Sequence, residues 1–131
     1  MSEPSARLSP ADHRPQRVLL VEDDPAVRDA TRMLLSMEGY TVTAVSSLEE
    51  AIDALPAGVD LLITDYHLPD GHTGIQVIKA LRGALGRPLK AVLITADTSR
   101  AIRELPDDPH LKVASKPLKA EEMLTLMDTL A

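Results

Sequence analysis

Five short apolar runs, each followed by a stretch of helical period, constrain the fold of this chain more than any other feature. The runs are RVLLVE from Arg17, TVTAV from Thr41, LLIT from Leu61, LKAVLIT from Leu89 and LKVAS from Leu111. Val, Ile and Leu dominate them with little polar alternation, as in strands buried on both faces. Asp24 precedes Pro25, which predicts an N-cap followed by proline at the first helical position, where a missing N–H costs nothing. Val27, Thr31, Leu34 and Glu38 then fall at helical spacing, with Ala30 and Leu35 widening the apolar stripe, and Gly39 predicts a left-handed close. Ser46 with Glu49 predicts a capping box that opens a helix on Leu48, Ala51, Ile52 and Leu55. Gly74 to Leu85 predicts a third helix through Ile75, Ile78 and Leu81. A short helix is expected over Ser99–Leu105, ended by PDDP, and a last one over Lys119–Leu130 on Met123, Leu124, Met127 and Leu130. Strands alternating with helices make an α/β fold with a parallel sheet covered on both faces.

The length of 131 residues fits one domain. Residues 1–16 are polar, hold three prolines and lack a hydrophobic period, so they read as a disordered tail or linker ahead of a domain at 17–131. With two tyrosines and neither Phe nor Trp, the core is expected to be Leu, Ile, Val, Ala and Met. The absence of cysteine excludes disulfides and thiolate metal sites, and it suits a reducing cytoplasm. A net charge of −6 argues against binding nucleic acid through its phosphates. No apolar run reaches the ~20 residues of a membrane span, and the N-terminus lacks the apolar segment of a secretory signal.

In an open doubly wound sheet, ligands bind beyond the carboxyl ends of the strands. The first strand ends in Glu22-Asp23-Asp24, the third in Asp65, the fourth in Thr95-Ala96 and the fifth in Ser115-Lys116-Pro117. Asp23 and Asp65 become neighbours only if strands one and three are adjacent. Two carboxylates ~4 Å apart repel by about 4 kcal/mol at an effective dielectric of roughly 20. Such crowding is tolerable when a cation sits within it or one acid is protonated. An all-oxygen donor set suits Mg²⁺. A magnesium ion, a lysine, a strand-end hydroxyl and a carboxylate nucleophile together suit a phosphoryl group: the cations neutralise its equatorial oxygens while Asp65 attacks in line. Taken singly, these residues have plainer readings. Asp24 is foremost a helix cap, Thr95 a good strand residue, Lys116 surface charge, Asp70 and Gly71 turn formers, and Met123 and Met127 core.

VEDDP, DYHLPDG, ITAD and SKP stand in this order at the ends of strands one, three, four and five. With these motifs the chain, from Arg17 to Ala131, resembles the response regulator receiver domain of bacterial two-component phosphorelays. The resemblance implies a flavodoxin-like (βα)5 sheet of strand order 2-1-3-4-5. It implies that Asp65 accepts a phosphoryl group from the phosphohistidine of a histidine kinase or histidine phosphotransfer domain. Asp23, Asp65 and the backbone carbonyl of His67 would bind Mg²⁺ or Mn²⁺, with Glu22 acting through a water. Thr95 and the Ala96 N–H would hold phosphoryl oxygens, Lys116 would pair with Asp65 or the phosphoryl group, and Pro117 would favour a cis peptide after Lys116. The implied product is a cytoplasmic phosphoprotein switch rather than a metabolic enzyme, with an unassigned downstream protein partner and no nucleic-acid or membrane contact of its own. Because the sequence stops at its last helix, it reads as a free-standing receiver or the terminal receiver of a hybrid sensor kinase.

Some positions depart from the family. Val113 stands where many receivers carry an aromatic that moves with the threonine, and Pro106 and Pro109 cut the fourth helix. Asp97 and His67 flank the expected phosphate, where the family tunes its lifetime. An aspartyl-phosphate hydrolase of the haloacid dehalogenase type is a rival reading, but it needs a second acid where this chain has His67. A phosphorylation-independent interaction module is another rival, and the intact Glu22, Asp23, Asp65, Thr95 and Lys116 set speaks against it. A dinucleotide-binding domain is disfavoured because no GxGxxG follows the first strand.

Overall fold

In a computed structural model, which describes residues 17–99, 103 and 108–130, five parallel strands form one sheet. They are β1 (Arg17–Val21), β2 (Thr41–Val45), β3 (Leu61–Asp65), β4 (Lys90–Thr95) and β5 (Leu111–Ser115), in the order β2-β1-β3-β4-β5. The helices are α1 (Pro25–Met37), α2 (Leu48–Ala54), α3 (Gly74–Leu85) and α4 (Ala120–Leu130). The expected tail at 1–16 lies outside the described residues, as does most of the short helix expected over Ser99–Leu105. No helix among the described residues is long and apolar enough to cross a membrane.

Side chains leave alternate faces of each strand, and that alternation divides the core in two. Leu19 and Val21 of β1, Leu62 of β3 and Leu93 of β4 pack under α2 and α3. Val18 and Leu20, Ile63 and Ile94 face the other way and meet Leu35 of α1 with Met123 and Met127 of α4. Strand β3, central in the sheet, is buried at every position. The register sets Val21 beside Thr64 and Thr64 beside Leu93, so the carboxyl ends of β1, β3 and β4 share one rim.

The helix starts follow their caps. The Asp24 carboxylate accepts from the N–H groups of Ala26 and Val27, and Pro25 opens α1 as expected. Gly39 has a φ of 98°, the left-handed turn its position predicted. The capping box expected at Ser46 and Glu49 sits one residue later. Ser47 caps α2 by accepting from the Glu50 N–H, and the Glu50 carboxylate reaches back to the N–H and hydroxyl of Ser46. A box that the sequence reading passed over joins Thr73 to Gln76 at the start of α3.

Two expectations about the core change. Tyr40 and Tyr66 are both buried, so the core is not purely aliphatic. The inner face of α1 is also narrower than its spacing suggested. Only Leu35 is fully buried, while Val27 is 47% and Met37 78% exposed. The helix packs chiefly on the β2–β1 side of the sheet rather than over its centre, which leaves Val27 and Ala30 toward solvent. Ile52 of α2 likewise faces out, while Ala51 is sealed inside.

Candidate functional site

The shared rim gathers the acids. One carboxylate oxygen each from Glu22, Asp23 and Asp65 lies within 4.8 Å of the others. Glu22 and Asp65 are buried while Asp23 is exposed, so the group forms a pit with one solvent-facing wall. Asp65 is the last residue of β3, and the ladder to β4 fixes its backbone beside Ile94. Past it, the Tyr66 N–H donates to the Ile94 carbonyl at 2.8 Å and the Gly74 N–H to the Tyr66 carbonyl at 2.7 Å. A strand end held this way gives its side chain one direction, which a loop acid would lack.

Lys116 completes the charge pattern. Its Nζ lies 3.5 Å from Asp65 Oδ1, and its N–H donates to the Thr95 carbonyl. The Lys116–Pro117 peptide is cis. Below this rim, between α1 and α4, an open cavity of about 560 Å³ is walled by Val27, Ile63, Ile94, Leu118 and Met123, with Glu22, Asp23, Asp65 and Lys116 at its mouth.

The electrostatics follow from burial. Desolvation, and then a hydrogen bond with Asp65, push the Glu22 carboxyl up to about 8, while the Asp24 N–H and the charge of Lys116 pull the other way. Glu22 is therefore held protonated at neutral pH in the absence of a cation, one of the two ways in which such crowding is relieved. The oxygen-only, anionic donor set fits a hard divalent cation, whose charge would displace that proton.

The remaining sequence candidates are placed as follows. Thr95 is buried on the strand next to Asp65, and its hydroxyl accepts from the Asp97 N–H at 3.1 Å. Ala96 follows it into solvent. His67 is exposed, pairs with Thr73 in an isolated antiparallel bridge and sets its ring edge-on to Tyr66. Its imidazole is not among the acids that converge. Val113 is half-buried against the α2–α3 side of the core.

Three supporting residues escaped the sequence reading. Thr64 is fully buried, and its hydroxyl donates to the Asp65 carbonyl at 3.0 Å. A Cβ at Gly74 would collide with that same carbonyl and with Leu93, so only glycine lets α3 start this close to the end of β3. Arg28 donates to the Glu22 carbonyl at 3.1 Å. The GIQVIKAL helix start hinted at the glycine, whereas neither hydrogen bond has a signature in spacing.

Comparison with known proteins agrees with the sheet topology. The description "Response regulator receiver domain" matches residues 18–128. The chain is similar to the transcriptional regulatory protein CpxR of Escherichia coli (strain K12), 34% identical over 112 residues, which are 82% of this chain and 46% of the relative. It is also similar to the response regulator MprA of Mycobacterium tuberculosis (strain ATCC 25618 / H37Rv), 34% identical over 119 residues, 87% of this chain and 50% of the relative. The chain thus spans about half the length of these curated relatives. A response regulator receiver protein from Sinorhizobium medicae WSM419 superposes with a TM-score of 0.75 at 25% identity, covering 88% of this chain and 93% of that one. A CheY-like receiver domain protein from Methanospirillum hungatei JF-1 shares the fold, with a TM-score of 0.74 at 24% identity over 86% of this chain and 90% of that one.

Proposed function

The chain belongs to the response regulator receiver domain family, and from that premise we propose that residues 17–131 form a phosphoacceptor unit in which Asp65 receives a phosphoryl group from the phosphohistidine of a histidine kinase or histidine phosphotransfer domain. The observation that carries this reading is the convergence of Glu22, Asp23 and Asp65 beside Lys116. In the transfer, an Asp65 oxygen forms a bond to phosphorus as the bond to the donor imidazole nitrogen breaks, and that nitrogen keeps the electron pair. Mg²⁺ or Mn²⁺, held by Asp23, Asp65 and the His67 carbonyl and by Glu22 through water, would supply charge neutralisation for the phosphoryl oxygens. Lys116 leaves its pairing with Asp65 for the phosphoryl oxygens, as a mobile point charge can. The Thr95 hydroxyl and the Ala96 N–H take the oxygens on the β4 side.

The phosphorylated form then has a changed affinity for a downstream partner, a population shift between two states. The protein is on this reading a cytoplasmic signalling switch that modifies itself, not a metabolic enzyme. The output belongs to the whole protein and its partners. Incubation with a small acyl phosphate and Mg²⁺, followed by intact mass, tests the proposal. One phosphoryl adduct is expected, absent in Asp65→Asn and absent after chelation. An adduct of equal yield in Asp65→Asn would place the acceptor elsewhere.

A further inference from the structure

The peptide that joins Glu22 to Asp23 carries two of the three converging acids, so its orientation decides where both carboxylates point. Strand β1 has ended at Val21, and its ladder no longer sets that peptide. The Glu22 N–H is tied to the Val45 carbonyl at 3.0 Å, and the Glu22 carboxylate accepts from the Asp24 N–H at 3.1 Å. The Glu22 carbonyl is met by Arg28, whose Nη1 donates to it at 3.1 Å from the first turn of α1. Among the described residues, Arg28 forms no salt bridge, whereas Lys116 pairs directly with Asp65. The half-buried Arg28 thus bonds a neutral carbonyl of the segment that carries two of the acids, and pairs with none of their carboxylates.

We propose that Arg28 is a positioning residue for the divalent cation: it fixes the Glu22–Asp23 peptide so that both acids face the ion, without competing for their oxygens. The inference rests on the proposed metal-dependent reading of the site. Electrostatics alone predicts the opposite sign for its removal. Deleting a positive charge beside a dication site strengthens the attraction for the ion. Deleting an outer partner that orients a ligand weakens binding by about 10-fold or more.

The test is Mn²⁺ affinity, read from the electron paramagnetic resonance signal of free Mn²⁺ in titrations of the unphosphorylated protein. Arg28→Ala is expected to weaken binding about 10-fold, and Arg28→Lys, which keeps a donor and the charge, to recover most of that loss. An affinity in Arg28→Ala equal to or tighter than that of the unaltered protein overturns the inference. If Arg28→Ala does not fold, as judged by circular dichroism, Arg28→Met takes its place. Met keeps an aliphatic stem but has neither the donor nor the charge, so binding weaker than in the unaltered protein supports positioning, and equal or tighter binding overturns it. An unaltered protein that binds no Mn²⁺ removes the metal-dependent reading itself, which is a different result from equal binding by both proteins.

Discussion

Glu22 is the residue at which the site's electrostatics can be read most simply. Burial favours its neutral form, so its folded-state value of about 8 lies above the ordinary 4.5. The stability contributed by that neutral form is intact below about 4.5 and is lost as the pH rises through about 8. Without divalent cations, thermal unfolding is therefore expected to move to lower temperature between pH 5 and 8, roughly the window these values set. Glu22→Gln should flatten that dependence, and an unchanged slope would contradict it. An ion that displaces the proton gives a second consequence. Mg²⁺ affinity measured by calorimetry should climb with pH to about 8 and then level off. Asp24 acts differently. Its carboxylate caps α1 through the Ala26 and Val27 N–H groups, so Asp24→Ala should cost ~1 kcal/mol in a urea melt and leave Mg²⁺ affinity nearly unchanged.

At the scale of elements, the site depends on how closely α3 approaches the end of β3. Gly74 permits that contact, and a methyl there meets the Asp65 carbonyl and Leu93. Gly74→Ala is expected to lose about 1–3 kcal/mol of stability and to slow phosphorylation by shifting the Asp65 backbone. Gly83, on the same helix with open space around it, serves as the control, since Gly83→Ala should be neutral or stabilising. Most of this architecture was legible in the sequence. The apolar runs marked the strands, and Asp24-Pro25 and Gly39 marked both ends of α1. The adjacent serines Ser46 and Ser47 offer the same capping chemistry, and only the backbone path selects the second. The buried face of α1 was misjudged because a helical stripe shows which residues are apolar, not how far the helix leans over the sheet. Packing on the β2–β1 side buries Leu35 and leaves Val27 out.

For the whole molecule, the strand order turns remote segments into one rim. Placing β1 beside β3 and β4 beside β5 brings Asp23, Asp65 and Lys116 to one cavity mouth, which no local sequence window contains. The acids and the lysine were legible as strand-end residues. The Arg28 and Thr64 hydrogen bonds to the Glu22 and Asp65 carbonyls were not, because they depend on side-chain directions that only the folded chain sets. On the proposed metal-dependent reading, an ion held by the folded rim and not by the unfolded chain stabilises the fold, so Mg²⁺ at ~100 times its dissociation constant should add about 2.7 kcal/mol to the unfolding free energy. Asp23→Asn should abolish most of that gain, and a gain of equal size in Asp23→Asn would place the ion elsewhere. The identity of the acceptor oxygen is tested most directly by borohydride reduction of the phosphorylated protein, which converts an aspartyl phosphate to homoserine, followed by peptide mass mapping. Homoserine at position 65, formed only when both donor and Mg²⁺ were present, is the expected result; homoserine at another acid, or a phosphoryl adduct that yields none, would contradict the account.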